Sequence, residues 1–393
     1  MNPRQITAAD VQGKRVLCRV DFNVPLKDAV IVDDTRIRAA LPTIIWLRDH
    51  GARVILCSHL GRPKGKVVET LRLAPIATRL SELIEAPVTA LDEITGPDAE
   101  HAASAMQDSD VLLLENLRFD PREEANDPDL AKELAALGDL YVNDAFGAAH
   151  RAHASTVGVA RFLPAYSGFL MQSEVEALSK LLAKPASPFV AIIGGAKVSD
   201  KLAVLETLLP RVDTLLIGGG MANTFLLAQG HSIGKSLVEP DLLATAKRLI
   251  DHADQLGIHI GLPEDVVVAR VISETTGSVT SVEQIDPEYA IFDIGPDTAR
   301  MYADMIATAR TVFWNGPLGV AENPAFAEGT AKVAKAVAAS SGYTVIGGGD
   351  SVSAIEQLGL ADQIDHISTG GGASLEFLEG RQLPGLAAIP EAE

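Results

Sequence analysis

Asp21 and Asn23 in VDFNVP, His59 and Arg62 in SHLGRP, Arg118 in ENLRF, and Asp144, His150 and Arg151 in NDAFGAAHRAH all stand at or just after the ends of short apolar runs. Guanidinium groups make paired hydrogen bonds to carboxylate or phosphate oxygens, so several at converging positions call for a small anion. Each arginine alone reads as half of a surface ion pair. Their recurrence at successive run ends favours a shared ligand. The second half carries a different chemistry at the corresponding positions: Gly194 and Gly195, Gly218 to Gly220, Gly316, Gly347 to Gly349 and Gly370 to Gly372. Glycine at a strand-to-helix turn lets backbone N–H groups close on a phosphate, and the helix start favours negative charge. One triplet could be no more than a tight turn. A series predicts a long phosphorylated ligand such as a nucleotide, so the two halves read as built for two different ligands.

Two lysines and an acid sharpen the second site. In GGAKVSDK, Lys197 and Lys201 are four residues apart at the start of an expected helix, which puts both ammonium groups on one face beside the glycine turn. A solvated surface lysine is the plainer alternative at either position. In GGGDS, Asp350 directly follows a phosphate-type turn, where a carboxylate is repelled unless a cation intervenes. Contact with Mg²⁺ is the functional reading and a helix N-cap the alternative. The stretch QGHSIGKS imitates a P-loop, but only three residues separate Gly230 from Gly234 where the pattern needs four. Gly230 follows a helix pattern, MANTFLLAQ, and reads as its stop signal, which leaves Lys235 as a loop lysine.

These residues need a frame of parallel strands, because ligands of such sheets bind at the carboxyl ends of the strands. Short runs rich in Val, Ile and Leu alternate with amphipathic stretches, which predicts an α/β fold. The expected strands are KRVLCRVDFN, ARVILCSHLG, DVLLLENLRF and DLYVNDAFG, then PFVAIIGGAK, DTLLIGGGMA, AIFDIGP, RTVFWNGPLG, YTVIGGGDS and DHISTGGGAS. Helices are expected at LPTIIWLRDHG, ending at Gly51, and at SEVEALSKLLA, followed by the linker KPASP. A chain of 393 residues suggests two domains, with a boundary near 170 to 188. The net charge of −19 opposes binding to nucleic acid or an anionic membrane, so an anionic ligand needs local basic clusters. Cys18 and Cys57 lie in apolar runs and read as core thiols. MNPRQITAAD lacks the basic and apolar segments of a secretory leader, and no apolar run is long enough to span a bilayer, so the cytosol is the expected compartment.

In order over residues 16 to 380, RVDFNVPL, SHLGRPKGK, LLLENLRF, NDAFGAAHRAHAST, GGAKVSDK, GGGMANTFL, WNGPLGVAE, GGGDS and STGGGASLEFLEG resemble the phosphoglycerate kinase family. The resemblance covers essentially the full chain. It implies two domains, each a parallel sheet with helices on both faces in the Rossmann-like manner, joined by a helical hinge: 1–170 for 3-phosphoglycerate, 171–188 as linking helix and hinge, 189–380 for the nucleotide, and 381–393 returning to the first domain. It further implies reversible phosphoryl transfer from 1,3-bisphosphoglycerate to MgADP across a closing cleft, by a monomeric cytoplasmic enzyme of glycolysis. Asp21, Asn23, Arg36, His59, Arg62, Arg118 and Arg151 are then expected to bind the substrate, with Arg36 added by the family alone. Gly195, Lys197, Lys201, Asn315, Glu322, Gly348, Gly349, Asp350 and Ser351 are expected at the nucleotide, with Asp350 on Mg²⁺. Arg36 and Lys201, with the amides of Gly371 and Gly372, are the expected catalytic groups, and Ser368 or Thr369 the N-cap of the helix beginning there. Ser351 stands where Thr is common, and Ala148 and Ala149 fill a small-residue stretch before His150.

Overall fold

The computed structural model describes residues 2–27 and 30–392. It divides into two compact units, Met1–Glu176 with Arg381–Glu393, and Ala177–Gly380. The first is built on strands β1 (Arg15–Arg19), β2 (Arg53–Cys57), β3 (Val88–Ala90), β4 (Val111–Leu113), β5 (Leu140–Asn143) and β6 (Ala165–Ser167), in the sheet order β3-β4-β2-β1-β5-β6. Every pairing is parallel, with Arg15 opposite Arg53 and Val16 opposite Leu140. Successive side chains of a strand point to opposite faces. Val16, Cys18, Val54 and Leu56 accordingly pack with the helices Thr35–Asp49 and Ala74–Ile84, while Leu17, Ile55 and Cys57 pack with Pro97–Ala105 and Pro128–Ala136. Burial on both faces is why these strands read as continuous apolar runs. Cys18 and Cys57 are free, buried thiols, and burial pushes the Cys57 thiol up to about 12.

The second unit repeats the plan with β7 (Phe189–Ile193), β8 (Thr214–Ile217), β9 (His259–Gly261), β13 (Thr311–Asn315), β14 (Tyr343–Gly347) and β15 (His366–Ile367), ordered β9-β8-β7-β13-β14-β15 and again parallel. In both sheets the order reverses at the centre, beside β1 and β5 in one and β7 and β13 in the other. That is where a crevice opens above the strand ends.

Some expectations change. AIFDIGP is a strand, β12 (Ala290–Ile294), but it belongs to a small antiparallel sheet with β10 (Asp265–Ala269) and β11 (Ser278–Ser281), ordered β11-β10-β12. A parallel return needs a long crossover, and the only helical segment between β10 and β12 is the short 3-10 turn Val282–Gln284, with no α-helix to supply one. The strands missed in the parallel sheets, β3, β6 and β9, are three-residue edge strands whose runs are too short to signal. The first helix begins at Thr35, before the expected Leu41, and carries Pro42 inside it. It does close at Gly51, which has φ +73° and donates to the Arg48 carbonyl at 2.9 Å. The linking helix runs Phe169–Leu182, so the division between the units falls within it. The final segment belongs to the first unit, where Gly385 donates to the Ala149 carbonyl at 2.8 Å. Among the described residues no helix is long and apolar enough to cross a membrane.

Candidate active site

At the end of β1 the sequence places a charge inside the core. Arg19 is only 1% exposed. Its Nε donates to Ser155 Oγ at 3.0 Å, Nη1 to the Val20 carbonyl, and Nη2 faces His59 Nδ1 at 3.1 Å. A guanidinium can only donate, so His59 Nδ1 accepts and the imidazole proton sits on Nε2. Burial pushes His59 well below the usual imidazole range; Asp21 opposes this while Arg19, Arg118 and Arg36 add to it. His59 is therefore a neutral N–H donor at pH 7. Asp21, also buried, takes Arg36 Nη1 on Oδ2. Burial alone would raise its carboxyl, but the Arg36 and Arg19 guanidinium groups and the Asn23 N–H hold it below the usual range.

The loop after β2 joins this group. Gly61 donates to Asn23 Oδ1 at 2.8 Å, and its carbonyl accepts Arg118 Nη1 at 2.8 Å. Arg62 follows in the same loop and is exposed, as is Arg151, whose Nε contacts His150 Nε2 at 3.1 Å. Asp21, Asn23, Arg36, His59 and Arg118 thus form one connected cluster, with Arg151 within electrostatic range of Arg118. Three members escaped the sequence reading. Arg19 supports His59, and buried Glu123 accepts the Ser155 N–H at 2.9 Å and the Ser155 hydroxyl at 2.5 Å, which completes a chain beneath the cluster. The available signal was a basic residue inside the apolar run VLCRV.

Asp144 corrects an expectation. It does not line this cluster: its Oδ1 accepts the Met171 N–H at 3.1 Å at the start of the linking helix, and a Cβ on Gly168 would lie 2.2 Å from it. Burial raises this carboxyl to about 6, against hydrogen bonds from Thr43, Met171 and Leu170.

In the second unit three glycine loops interlock at the ends of β7, β8 and β13. Gly194 donates to the Asn315 carbonyl and Gly195 to the Pro317 carbonyl, both at 2.9 Å, and Gly219 donates to the Leu318 carbonyl at 2.9 Å. A Cβ on Gly194 would sit 2.1 Å from the Pro317 oxygen, and Gly219 combines φ +68° with backbone atoms 2.7 Å from its missing Cβ. Only glycine permits so close an approach. Between these loops lies a cleft of about 340 Å³, apolar at Leu237, Val266, Ile291 and Leu318, with Asn223, Asp293, Glu322 and Asp350 as its polar side chains. An apolar slot with a few polar groups at its rim suits a base and sugar.

Lys201 is half-buried and its ammonium donates to Asn315 Oδ1; burial lowers it below the usual lysine range, with Asp200 and Asp350 opposing. The expected shared helical face is not formed. The helix begins at Leu202 with Lys201 as its N-cap, and Lys197 stands exposed in the preceding turn, because the chain between Gly194 and Asp200 follows the interlocked glycines and not a helix. Gly348 packs against the Asn315 side-chain amide, and Ser351 is buried with Oγ accepting the Gly316 N–H at 2.6 Å, so its hydroxyl ties two loops together. Asp350 is not an N-cap: that place is Gly348, and Asp350 lies exposed in the first turn of the helix Gly349–Gln357. Nor do Ser368 and Thr369 cap the helix Gly372–Leu378, whose N-cap is Gly371. The Ser368 hydroxyl lies 2.6 Å from Ser374 Oγ. A Cβ on Gly371 or Gly372 would meet nothing within 4 Å, which leaves that turn open to a ligand. Around Lys235 no phosphate site forms. Gly230 has φ +96° beyond the end of its helix, and Lys235 pairs with Glu288 at 2.6 Å.

Among the described residues no group of three or more His, Cys, Asp or Glu side chains is arranged to hold a metal. A cation at Asp350 must therefore take most of its ligands from water and phosphate, which is how Mg²⁺ commonly binds. The hard oxygen donor present fits that ion.

The phosphoglycerate kinase family model matches residues 6–381. The phosphoglycerate kinase of Roseiflexus castenholzii is 62% identical over the whole of both chains, and that of Moorella thermoacetica 60% identical over 97% of this chain and 98% of its own. The solved structure of phosphoglycerate kinase from Coxiella burnetii superposes with a TM-score of 0.89 at 44% identity, and that from Pyrococcus horikoshii with 0.83 at 37%, each over 98% of both chains. Two parallel sheets with anion-binding chemistry at one and a glycine-walled cleft at the other agree with that likeness, and the chain belongs to the phosphoglycerate kinase family, the glycolytic enzymes that transfer phosphate between 3-phosphoglycerate and ATP.

Proposed function

We propose that the first unit binds 3-phosphoglycerate or 1,3-bisphosphoglycerate and the second binds MgADP or MgATP. The observation that carries this is the division of chemistry between the two sheets. Guanidinium and imidazole donors cluster at the strand ends of one, and backbone amides of glycine turns at the strand ends of the other. Asp21, Asn23, Arg36, His59, Arg62, Arg118 and Arg151 serve the substrate, with Asp21 ionised so as to aim Arg36 and His59 neutral so as to donate. Gly195, Lys197, Lys201, Asn315, Glu322 and Gly348 to Ser351 serve the nucleotide. Asp350 holds Mg²⁺, which when bound neutralises charge on the phosphate oxygens.

In the ATP-consuming direction the nucleophile is the substrate carboxylate, already ionised at pH 7, so no base has to remove a proton. One of its oxygens bonds to the γ-phosphorus as the bond from that phosphorus to the β–γ bridging oxygen breaks, and ADP leaves with the electron pair. What remains for the protein is positioning and charge stabilisation. Arg36 has one N–H on Asp21, which leaves four, and Lys201 keeps two beyond Asn315. These, with the amides of Gly371 and Gly372, act on the transferring group.

The coupled assay for ATP consumption tests the division. Arg118→Met should raise the KM for 3-phosphoglycerate by about tenfold or more while leaving the nucleotide KM within about twofold. A parallel rise in both would remove Arg118 from the substrate set. Because each ligand set is borne by its own unit and transfer is direct, we propose that the units close when both ligands bind, with the hinge in 171–188, and that the enzyme works as a cytoplasmic monomer. Small-angle scattering with no ligand, either one and both should report the mass of one chain and a contraction confined to the ternary complex. An unchanged radius there counts against closure.

A further inference from the structure

We infer that Asp293 is a positioning residue for nucleotide binding, holding the Leu318–Glu322 wall of the cleft in place through its carboxylate; this rests on the reading of that cleft as the nucleotide site. Asp293 is the penultimate residue of its strand, inside the run AIFDIGP, whose pattern marks a strand and not a site. It lies in β12, opposite Val267 and beside a register shift in the small antiparallel sheet. It is 2% exposed. Its Oδ2 accepts the Gly329 N–H at 2.7 Å, at the start of the helix Glu328–Ala338, and its Oδ1 accepts the Ile294 N–H at 2.9 Å.

The cleft wall is seated on this carboxylate. A Cβ on Gly319 would lie 2.2 Å from Asp293 Oδ1, and one on Gly329 would lie 2.5 Å from it, so both glycines leave room for the acid. On either side the loop is pinned by immediate neighbours of that contact. Val320 donates to the Phe292 carbonyl at 2.9 Å, and Leu318 donates to Thr330 Oγ1 at 3.0 Å. Leu318, Val320 and Glu322 line the cleft, as does Asp293 itself. Moving the carboxylate therefore moves the wall.

The charge state of this acid changes what it can hold. Burial raises it to about 7, opposed by the Gly329 and Ile294 N–H groups; of the facing charges on the helix, Glu328 raises it further and Lys332 lowers it. Those two also pair with each other at 2.9 Å. A folded pKa above the unfolded value means that the stability tied to this group is present at low pH and is lost as pH rises through about 7. The ionised form is thus the less stable one for the fold, yet only that form makes charge-assisted hydrogen bonds with both N–H donors. Protonation removes the negative charge that strengthens both hydrogen bonds, and the wall is held less tightly. Nucleotide affinity should rise with pH through this range while fold stability falls.

The test compares wild type and Asp293→Asn in initial-rate assays from about pH 5.5 to 8.5, so that titration of the nucleotide phosphates cancels in the ratio. The nucleotide KM ratio of variant to wild type should be about tenfold at the alkaline end, from loss of a charge-assisted hydrogen bond, and shrink towards one at the acid end, with the 3-phosphoglycerate KM unchanged. A ratio independent of pH, or equal rises in both KM values, overturns the inference. Should the variant not fold, wild-type inhibition by adenosine, which has no phosphate to titrate, decides: the inhibition constant must fall as pH rises through about 7, and a flat profile overturns it. Val320→Trp, which fills the cleft, separates the two readings. If it leaves the nucleotide KM unchanged, the cleft is not the nucleotide site and both fail. If it raises that KM while the Asp293→Asn ratio stays flat, only the role of Asp293 fails.

Discussion

Lys201→Ala should lower kcat by about 10²–10³-fold, with a much smaller change in the nucleotide KM. The side chain is half-buried, one of its hydrogens is committed to Asn315, and burial has already pulled its pKa down, so the ammonium is less well solvated than a surface lysine. Charge held this way acts strongly on charge that develops nearby and needs little reorganisation. The glycine loops and the apolar cleft are untouched by the substitution, so the nucleotide affinity proposed for them should persist. Steady-state kinetics with both substrates varied decides the matter. A rise in nucleotide KM with kcat intact would mean that Lys201 grips the nucleotide equally before and during transfer, and would end its catalytic assignment.

Arg19→Met should cost the first unit about 3–5 kcal/mol, because removing one partner of a buried charge group strands the others. Methionine has comparable length but offers none of the donors that now reach Ser155, the Val20 carbonyl and His59. Glu123, whose carboxyl burial already raises, loses the nearby cation that lowers it. Denaturant unfolding followed by a probe in the first unit reads the effect as a displaced midpoint for that unit's transition. His59, no longer held at Nδ1, should also lose its orientation, so the 3-phosphoglycerate KM rises in whatever protein remains folded. A midpoint unmoved by the substitution would show that Arg19 is not the support beneath the cluster.

The legible residues share one property: their chemistry is visible in their type and their place in the chain. Arg118, His59 and Arg62 follow apolar runs, the glycines recur after later ones, and Asp350 stands beside a glycine turn, so local pattern alone marked the ends of the parallel strands. The nine ordered motifs then named the family, and with it Arg36, Asn315 and Glu322, which no pattern had picked out. The alternation of β and α also determined the two parallel sheets, since continuous apolar runs bury on both faces. AIFDIGP looked like the rest of them, because a short buried strand carries no mark of whether its neighbour runs parallel.

Only the tertiary structure decided which polar residues meet. Lys197 and Lys201 are separated by a turn that exists because three distant glycine loops interlock, a constraint spread over residues 194 to 318. Asp144 and Asp293 are aspartates in apolar surroundings of much the same local kind as Asp21. One turns to the linking helix, one to the cleft wall and one to Arg36, according to which N–H donors long-range packing brings within reach. Arg19 looked like a strand residue and proved to be a buried support for His59, since its partners Ser155 and His59 lie on other elements. Sequence determines where the strands end and what chemistry stands there, because those are properties of neighbouring residues. Burial, protonation and pairing depend on groups far apart in the chain, and folding alone assembles them.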